Sequence, residues 1–275
     1  MTAIQARRVT NDQKNHYKRI LAWVAFMAVS ILMTLLTFFN PYYMKQQIRQ
    51  SANEVVVTKQ ANVHFNTLAK YLNAYDDQTA SSLTTNELLP IADELIDWTL
   101  GVHAFRTSDT LLASNIYDHL KKNISNSSTV GAKEVKKRML KNPAASLSYI
   151  DAAYSLSVVS LTGNLELILF AVGVILLISI VVMLKSFLQE MGSSLQSRKM
   201  FIHEVSAAIM WMAFWTIFIY GLLSVLPIFI SLDNLGLGII AFLFETSSPT
   251  FLNFVIAGVV LYIISAISWQ ATSVK

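Results

Sequence analysis

The chain has 275 residues, 54% of them hydrophobic and only 14% charged, and its mean hydropathy is +0.48. That balance excludes a wholly soluble protein, because several stretches reach the roughly 20 apolar residues that cross a bilayer as a helix. A net charge of +4 without a long basic run leaves no nucleic-acid footprint, and the lack of cysteine removes thiol nucleophiles, disulfides and thiolate metal sites together.

Residues 1–19 form a basic tail with Arg7, Arg8, Lys14, Lys18 and Arg19. The first apolar run is longer than a secretory h-region, and "TFFNPYY" offers no small-x-small cleavage site. Residues 20–40 therefore read as a retained first span. An insert over 41–163 follows, and it reads as all-helical. Met44, Ile48, Ala52, Val55, Phe65, Leu68, Leu72 and Tyr75 recur at helical spacing. They predict one amphipathic stripe, interrupted near Lys59, with Pro41 able to bend the chain at its start.

"TTNE" at Thr84 to Glu87 is a capping-box pattern in front of "LLPIADELIDWTL". In that helix Leu95, Trp98 and Leu100 are expected to face a core, with Asp93, Glu94 and Asp97 on the wet side. Ser108 and Asp109 can cap a further helix carrying Leu112, Ile116, Tyr117 and Leu120. After the polar "NISNSS", the basic "KEVKKRMLK" reads as a solvated helix face, and "NPAASLSYIDAAYSLSVV" leads into the second span. No alternating strand pattern and no internal repeat is present.

The second span is expected over 164–186. Leu184, Phe187, Leu188, Met191 and Leu195 keep helical spacing beyond it until Gly192, Ser193 and Ser194 weaken the helix. A connector over 187–204 leads to the third span, 205–231, where Pro227 predicts a kink. A loop over 232–250 contains "LGLGIIAFLF", which is too short to cross and reads as interfacial or re-entrant. Ser248 and Pro249 are expected to start the fourth span, 251–270, ahead of a tail over 271–275.

Cations in short segments set orientation, because Lys and Arg are retained on the cytoplasmic side. The tail cations, Lys185, Arg198, Lys199 and Lys275 put both termini in the cytoplasm, while the cation-free 232–250 loop carries Asp233 and Glu245. The expected fold is an all-α membrane protein: four transmembrane helices, with a helical extracytoplasmic insert between the first and second.

His203-Glu204 opens a zincin motif, but the second histidine would stand three residues after the glutamate, where the chain has Ala207. A softer reading makes Arg198, Lys199, His203 and Glu204 a partner-docking surface at the cytoplasmic face, and it ranks behind the plainer one for any single residue of the four. The plainer reading makes them anchors at lipid headgroups, since charges belong at membrane borders. Asp76-Asp77 lacks the spaced carboxylates of a calcium loop, and His64, His103 and His119 stand singly. Glu166, Asn164 and Asn253 sit at the outer ends of spans, which argues against a proton-coupled transporter with a midplane carboxylate. Ala257, Gly258, Ser265 and Ala266 in the fourth span, with Ser206, Ala207 and Ala208 in the third, predict close helix packing. No nucleophile–base pair, cofactor site or metal site is read, so no enzymatic role is expected.

A basic tail, one span, a helical insert containing "LIDWTLGVHAF", and three further spans with "SRKMFIHE" between the first two of them form a distinctive order. It resembles a family of small inner-membrane proteins of integrating conjugative elements and conjugative plasmids, catalogued as a domain of unknown function. Asp97-Trp98 in the insert and the cluster of Arg198, Phe201 and His203 carry the resemblance. It implies a non-enzymatic accessory of conjugative DNA transfer in the bacterial inner membrane. The partners implied are a coupling ATPase or the type IV secretion channel, without cofactor, small-molecule substrate or direct nucleic-acid binding. Topology alone offers two alternatives. One is a permease subunit of the FtsX and MacB type coupled to a separate ATPase; the other is a membrane receptor or immunity protein whose insert binds a ligand.

Overall fold

The computed structural model describes residues 3–74, 83–195, 197–229 and 239–273, and among them every regular element is a helix. Four helices are long and apolar enough to cross a membrane, over Asn15–Thr37, Leu156–Ser193, Arg198–Pro227 and Ser247–Thr272. The chain is thus an all-α, multi-pass membrane protein. Its contacts divide it into two compact units: Met1–Leu36, Val172–Asn234 and Ser247–Lys275 form one, Thr37–Ala171 and Leu235–Thr246 the other.

The first helix, α1 (Ala3–Thr37), ends just before Asn40. Asn40 then caps α2 (Pro41–Ile48), its side chain accepting the N–H groups of Tyr42 and Tyr43 at 3.0 and 3.3 Å, with Pro41 in the first helical position. The expected bend at Pro41 is therefore a complete break, made by a cap and a proline in adjacent positions.

The single stripe expected from Met44 onward is divided in a different place from the one predicted. The chain leaves the helix at Arg49 and Gln50, and α3 (Ser51–Tyr71) runs unbroken past Lys59. Asn53 Nδ2 donates to the Gln47 carbonyl at 2.9 Å, so a side chain of α3 satisfies an end of α2. Across that break the register changes: Val55 is exposed and Val57 is buried. Tyr75, Asp76 and Asp77 lie outside the described residues.

The insert's core forms where α3 packs with α4 (Thr85–Thr99), α6 (Val130–Lys141) and α7 (Pro143–Tyr154), and α5 (Thr110–Asn123) packs on α4 and α7. Phe65, Leu68, Leu88, Ile91, Leu112, Ile116, Leu120 and Ile150 are all buried. Trp98 is buried and Leu95 packs against the same core, whereas Leu100 is only half-buried. The capping box at Thr84 is present: Glu87 Oε2 accepts the Thr84 N–H and hydroxyl, each at 2.8 Å.

The acidic face of α4 is the wet side expected of it, with Asp97 exposed and Asp93 and Glu94 partly so, and it also carries helix-to-helix ties. Asp97 pairs with Lys45 and Asp93 with Arg49, one turn apart on both α2 and α4. Glu94 accepts from Asn115 Nδ2 at 2.6 Å and stands 3.7 Å from His119 Nε2, both on α5. Exposed pairs of this kind contribute about 0–1 kcal/mol each, so they fix register more than stability.

The basic α6 has the solvated face expected of it, with Lys133, Lys137, Arg138 and Lys141 exposed, and adds two contacts to backbone carbonyls. Lys136 Nζ donates to the Ile124 carbonyl at 2.6 Å and Arg138 to the Leu72 carbonyl at 3.2 Å. Ile124 and Leu72 are the C-terminal caps of α5 and α3, where unpaired carbonyls attract cations. After α7 the chain turns at Ser155, in the left-handed region at φ 51° and ψ 48°, and enters α8 (Leu156–Ser194). That helix begins before the predicted second span and ends where the Gly-Ser-Ser run weakens it.

In the other unit, α9 (Arg198–Phe229) follows α8 after a short turn, so the connector expected over 187–204 is helical for most of its length. The fourth helix, α10 (Ile239–Thr272), carries Pro249 in its interior instead of starting there. The apolar residues before it extend the helix backwards, and proline forfeits only the bond to Glu245. The re-entrant piece expected over 235–244 is helical from Ile239 onward, and its first four residues lie outside the described ones.

Small residues let α9 and α10 approach, as predicted. A Cβ added at Gly258 would lie 2.9 Å from Ile217 Cγ1, 3.3 Å from Thr216 Cγ2 and 3.4 Å from the Ala213 carbonyl. Gly258→Val is therefore expected to cost about 1–3 kcal/mol through overpacking. It should lower the thermal aggregation midpoint of the detergent-solubilised protein. Gly221→Ala, whose new carbon would meet only Val255 at 4.0 Å, should not.

Candidate functional site

α9 begins at Arg198 because Ser197 caps it. The Ser197 hydroxyl oxygen accepts the Met200 N–H at 3.2 Å and its carbonyl the Phe201 N–H at 3.0 Å. The first two turns then direct the four candidate side chains to separate tasks. Phe201, Val205 and Ala208 recur at helical spacing and pack with Leu21, Ala22 and Met191. That stripe fixes the rotation of α9.

Glu204 reaches α1, where its Oε2 lies 2.7 Å from Lys18 Nζ, with the two side chains 14% and 29% exposed. Beside this pair, Tyr17 donates to Glu190 Oε1 of α8 at 2.9 Å. Two consecutive residues of α1 thus hold α8 and α9. His203 turns to α10: its ring stacks on Trp269 with centroids 5.1 Å apart, and its Nδ1 is 3.3 Å from the Trp269 carbonyl. Arg198 and Lys199 remain exposed and make no ion pair among the described residues.

The candidate site is therefore divided. His203 and Glu204 are committed to neighbouring helices, and the two cations have no carboxylate partner among the described residues. The sequence showed all four together but not which were already engaged, since both acceptors belong to helices distant in the chain. Below His203, the stripe Ala207, Met210, Trp211 and Phe214 lines an open cleft of about 370 Å³ with Tyr262 and Trp269. Its lining is apolar and aromatic.

No family model, curated protein or solved structure matches this chain.

The insert holds a second polar constellation that the sequence reading did not assemble. Trp98 Nε1 donates to Ser160 Oγ at 2.9 Å, and that hydroxyl donates in turn to Asp109. Asp109 occupies the N-cap position of α5 as expected, yet its side chain makes no capping bond and is turned to Ser160 instead. The Arg106 guanidinium lies over the Trp98 ring, 4.1 Å from its centroid. Burial, with a smaller contribution from the Asp109 charge, raises the pKa of Asp151.

The single histidines each have different partners. His64 stacks on Tyr154 at 5.6 Å and contacts the Ala153 carbonyl, and burial pushes the Tyr154 phenol above its ordinary value. His103 contacts the Thr99 and Ala104 carbonyls. Among the described residues, no three His, Asp or Glu side chains are grouped to hold a metal ion.

Proposed function

We propose that the protein is a non-enzymatic membrane adaptor that docks a partner through Arg198 and Lys199. The observation that supports it is the division of labour at the start of α9. Glu204 and His203 are tied to α1 and α10, so the cations are presented on a fixed helix end with no carboxylate paired to them among the described residues. A partner with an acidic surface complements such a pair, and charge complementarity sets both encounter rate and partner choice.

The resemblance carried by Asp97-Trp98 and by Arg198, Phe201 and His203 assigns this adaptor to conjugative DNA transfer. On that reading the partner is the coupling protein or the type IV secretion machinery in the bacterial inner membrane. The cation bias puts both termini and the start of α9 in the cytoplasm, and the insert outside it.

Reversing Arg198→Glu and Lys199→Glu together is expected to weaken partner capture on the order of tenfold or more, because like charges at an interface are strongly unfavourable. Membrane levels of the protein should stay unchanged, and mating frequency should fall as it does in a deletion strain. Unchanged mating in the deletion strain overturns the conjugation reading. Loss of membrane insertion in the double variant would make the cations a border device only.

A further inference from the structure

The segment joining α4 to α5, residues 100–109, is an irregular strap fixed at several points. Asn164 of α8 grips it through both groups of its amide: Oδ1 accepts the Arg106 N–H at 2.8 Å, and Nδ2 donates to the Arg106 carbonyl at 3.0 Å. Arg106 lies on the Trp98 ring. Asp109 is held by Ser160. At the other end Gly101, at φ +84°, packs on Pro41, where an added Cβ would sit 3.5 Å from Pro41 Cγ. Fixing a ten-residue irregular segment costs about 1–2 kcal/mol of backbone entropy per residue, so these ties oppose a substantial cost.

What the strap displays is apolar. Val102 is 82% exposed and Phe105 59%, and Tyr42, next to the Pro41 contact, is 70% exposed. Single exposed apolar residues are ordinary on a soluble surface. These sit at a particular level of the molecule. Asn164 immediately precedes the apolar run 165–184 of α8, whose single ionisable residue, Glu166, stands at its border end. At 1.5 Å per residue the run covers about 30 Å, the thickness of a bilayer's hydrocarbon core. Pro41 stands just beyond Thr37, the end of the first candidate span. The strap is thus tied to the exits of two membrane helices.

We propose that the 100–109 strap is a membrane-interface anchor, with Val102 and Phe105 seated in the glycerol–acyl boundary of the bilayer beside α8. The surface that covers them is continuous with the lipid surrounding α8 itself, whose exposed Leu165 and Ile168 follow directly on Asn164. Arg106 suits this level, since its charge lies on the Trp98 face instead of facing hydrocarbon, and aromatic side chains favour the interface. The inference goes beyond the docking proposal and is independent of it.

The chain has no cysteine, so single thiols can be introduced one at a time. Val102→Cys, Phe105→Cys and, as control, Asn126→Cys in the exposed turn before α6 would each be labelled with an environment-sensitive fluorophore. The full chain is placed in nanodiscs of phosphatidylethanolamine and phosphatidylglycerol, which leave both faces open to solutes. Labels at 102 and 105 should emit to the blue of the label at 126. They should be quenched by lipids carrying a nitroxide near the headgroup and protected from iodide, with the reverse at 126. Iodide quenching at 102 and 105 equal to that at 126 overturns the anchor. So does protection from both quenchers, which would mean that protein, not lipid, covers the strap.

Discussion

Trp98→Ala is expected to destabilise the insert by about 3–5 kcal/mol, the range for removing a buried aromatic side chain. Three losses coincide at this position. The ring fills the core against α5, α7 and the start of α8, and it is 6% exposed. Its indole N–H is the donor that Ser160 accepts, so the Ser160–Asp109 bond loses its support. Arg106 loses the face over which it lies, with its Nε already buried without a hydrogen-bond partner. Trp98→Phe separates these contributions, because it keeps most of the volume and a π face while deleting the donor. Its cost should be close to that of one buried hydrogen bond, about 1–3 kcal/mol. The readout is the temperature at which the insert becomes cleavable by protease in the detergent-solubilised full chain. A Trp98→Ala protein that resists protease to the wild-type temperature would refute this account of the core.

Glu87→Ala is expected to cost about 1.5–3 kcal/mol, since a carboxylate accepting several hydrogen bonds is removed and the buried Ser128 hydroxyl loses its acceptor. Glu87 accepts from the Thr84 N–H, the Thr84 hydroxyl and the Ser128 hydroxyl, joining the start of α4 to the turn before α6. Burial by itself pushes its pKa up, but the Ser128 and Thr84 bonds together outweigh it and hold the carboxyl below the ordinary 4.5. A depressed folded pKa gives stability that is present above the unfolded value and lost as pH falls through the folded one. The wild-type advantage over Glu87→Gln should therefore be full above pH 4.5 and shrink below it. Asp151, whose pKa is raised, works in the opposite direction and gains stability on protonation. The Glu87 contribution is thus read from the difference between the two proteins. The same protease assay, run in buffers on either side of pH 4.5, measures it; a difference independent of pH would remove the charge from the explanation.

Where local signals in the sequence held, their causes lie within four residues, whereas Asp109 and Pro249 show caps overridden by Ser160 and by the apolar residues before the proline. Thr84 with Glu87, and Asn40 with Pro41, contain both halves of their caps, and the apolar runs of the spans need no distant information. The break at Arg49 and Gln50 was not legible, because Met44 and Ile48 on one side and Phe65 and Leu68 on the other all satisfy helical spacing. The left-handed turn at Ser155 was equally hidden, since neither glycine nor asparagine marks it. At the candidate site the residue types were legible and their engagement was not. Nothing near Glu204 in the chain points to Lys18, and nothing near His203 points to Trp269. The pairing of the acidic residues of α4 was hidden for the same reason: their partners lie on other helices.

The carbonyl contacts of α6 also bear on what its composition means for long-range forces. Of the cations in "KEVKKRMLK", Lys136 and Arg138 end on the carbonyls of Ile124 and Leu72, and Glu134 pairs with both Lys137 and Arg138. Those bonds fix where two of the charges sit without removing them, since a carbonyl is neutral and Glu134 offsets only one of the five cations. A polyanion approaching this helix still meets a net positive run, so an encounter of the insert with an anionic surface should weaken as ionic strength rises.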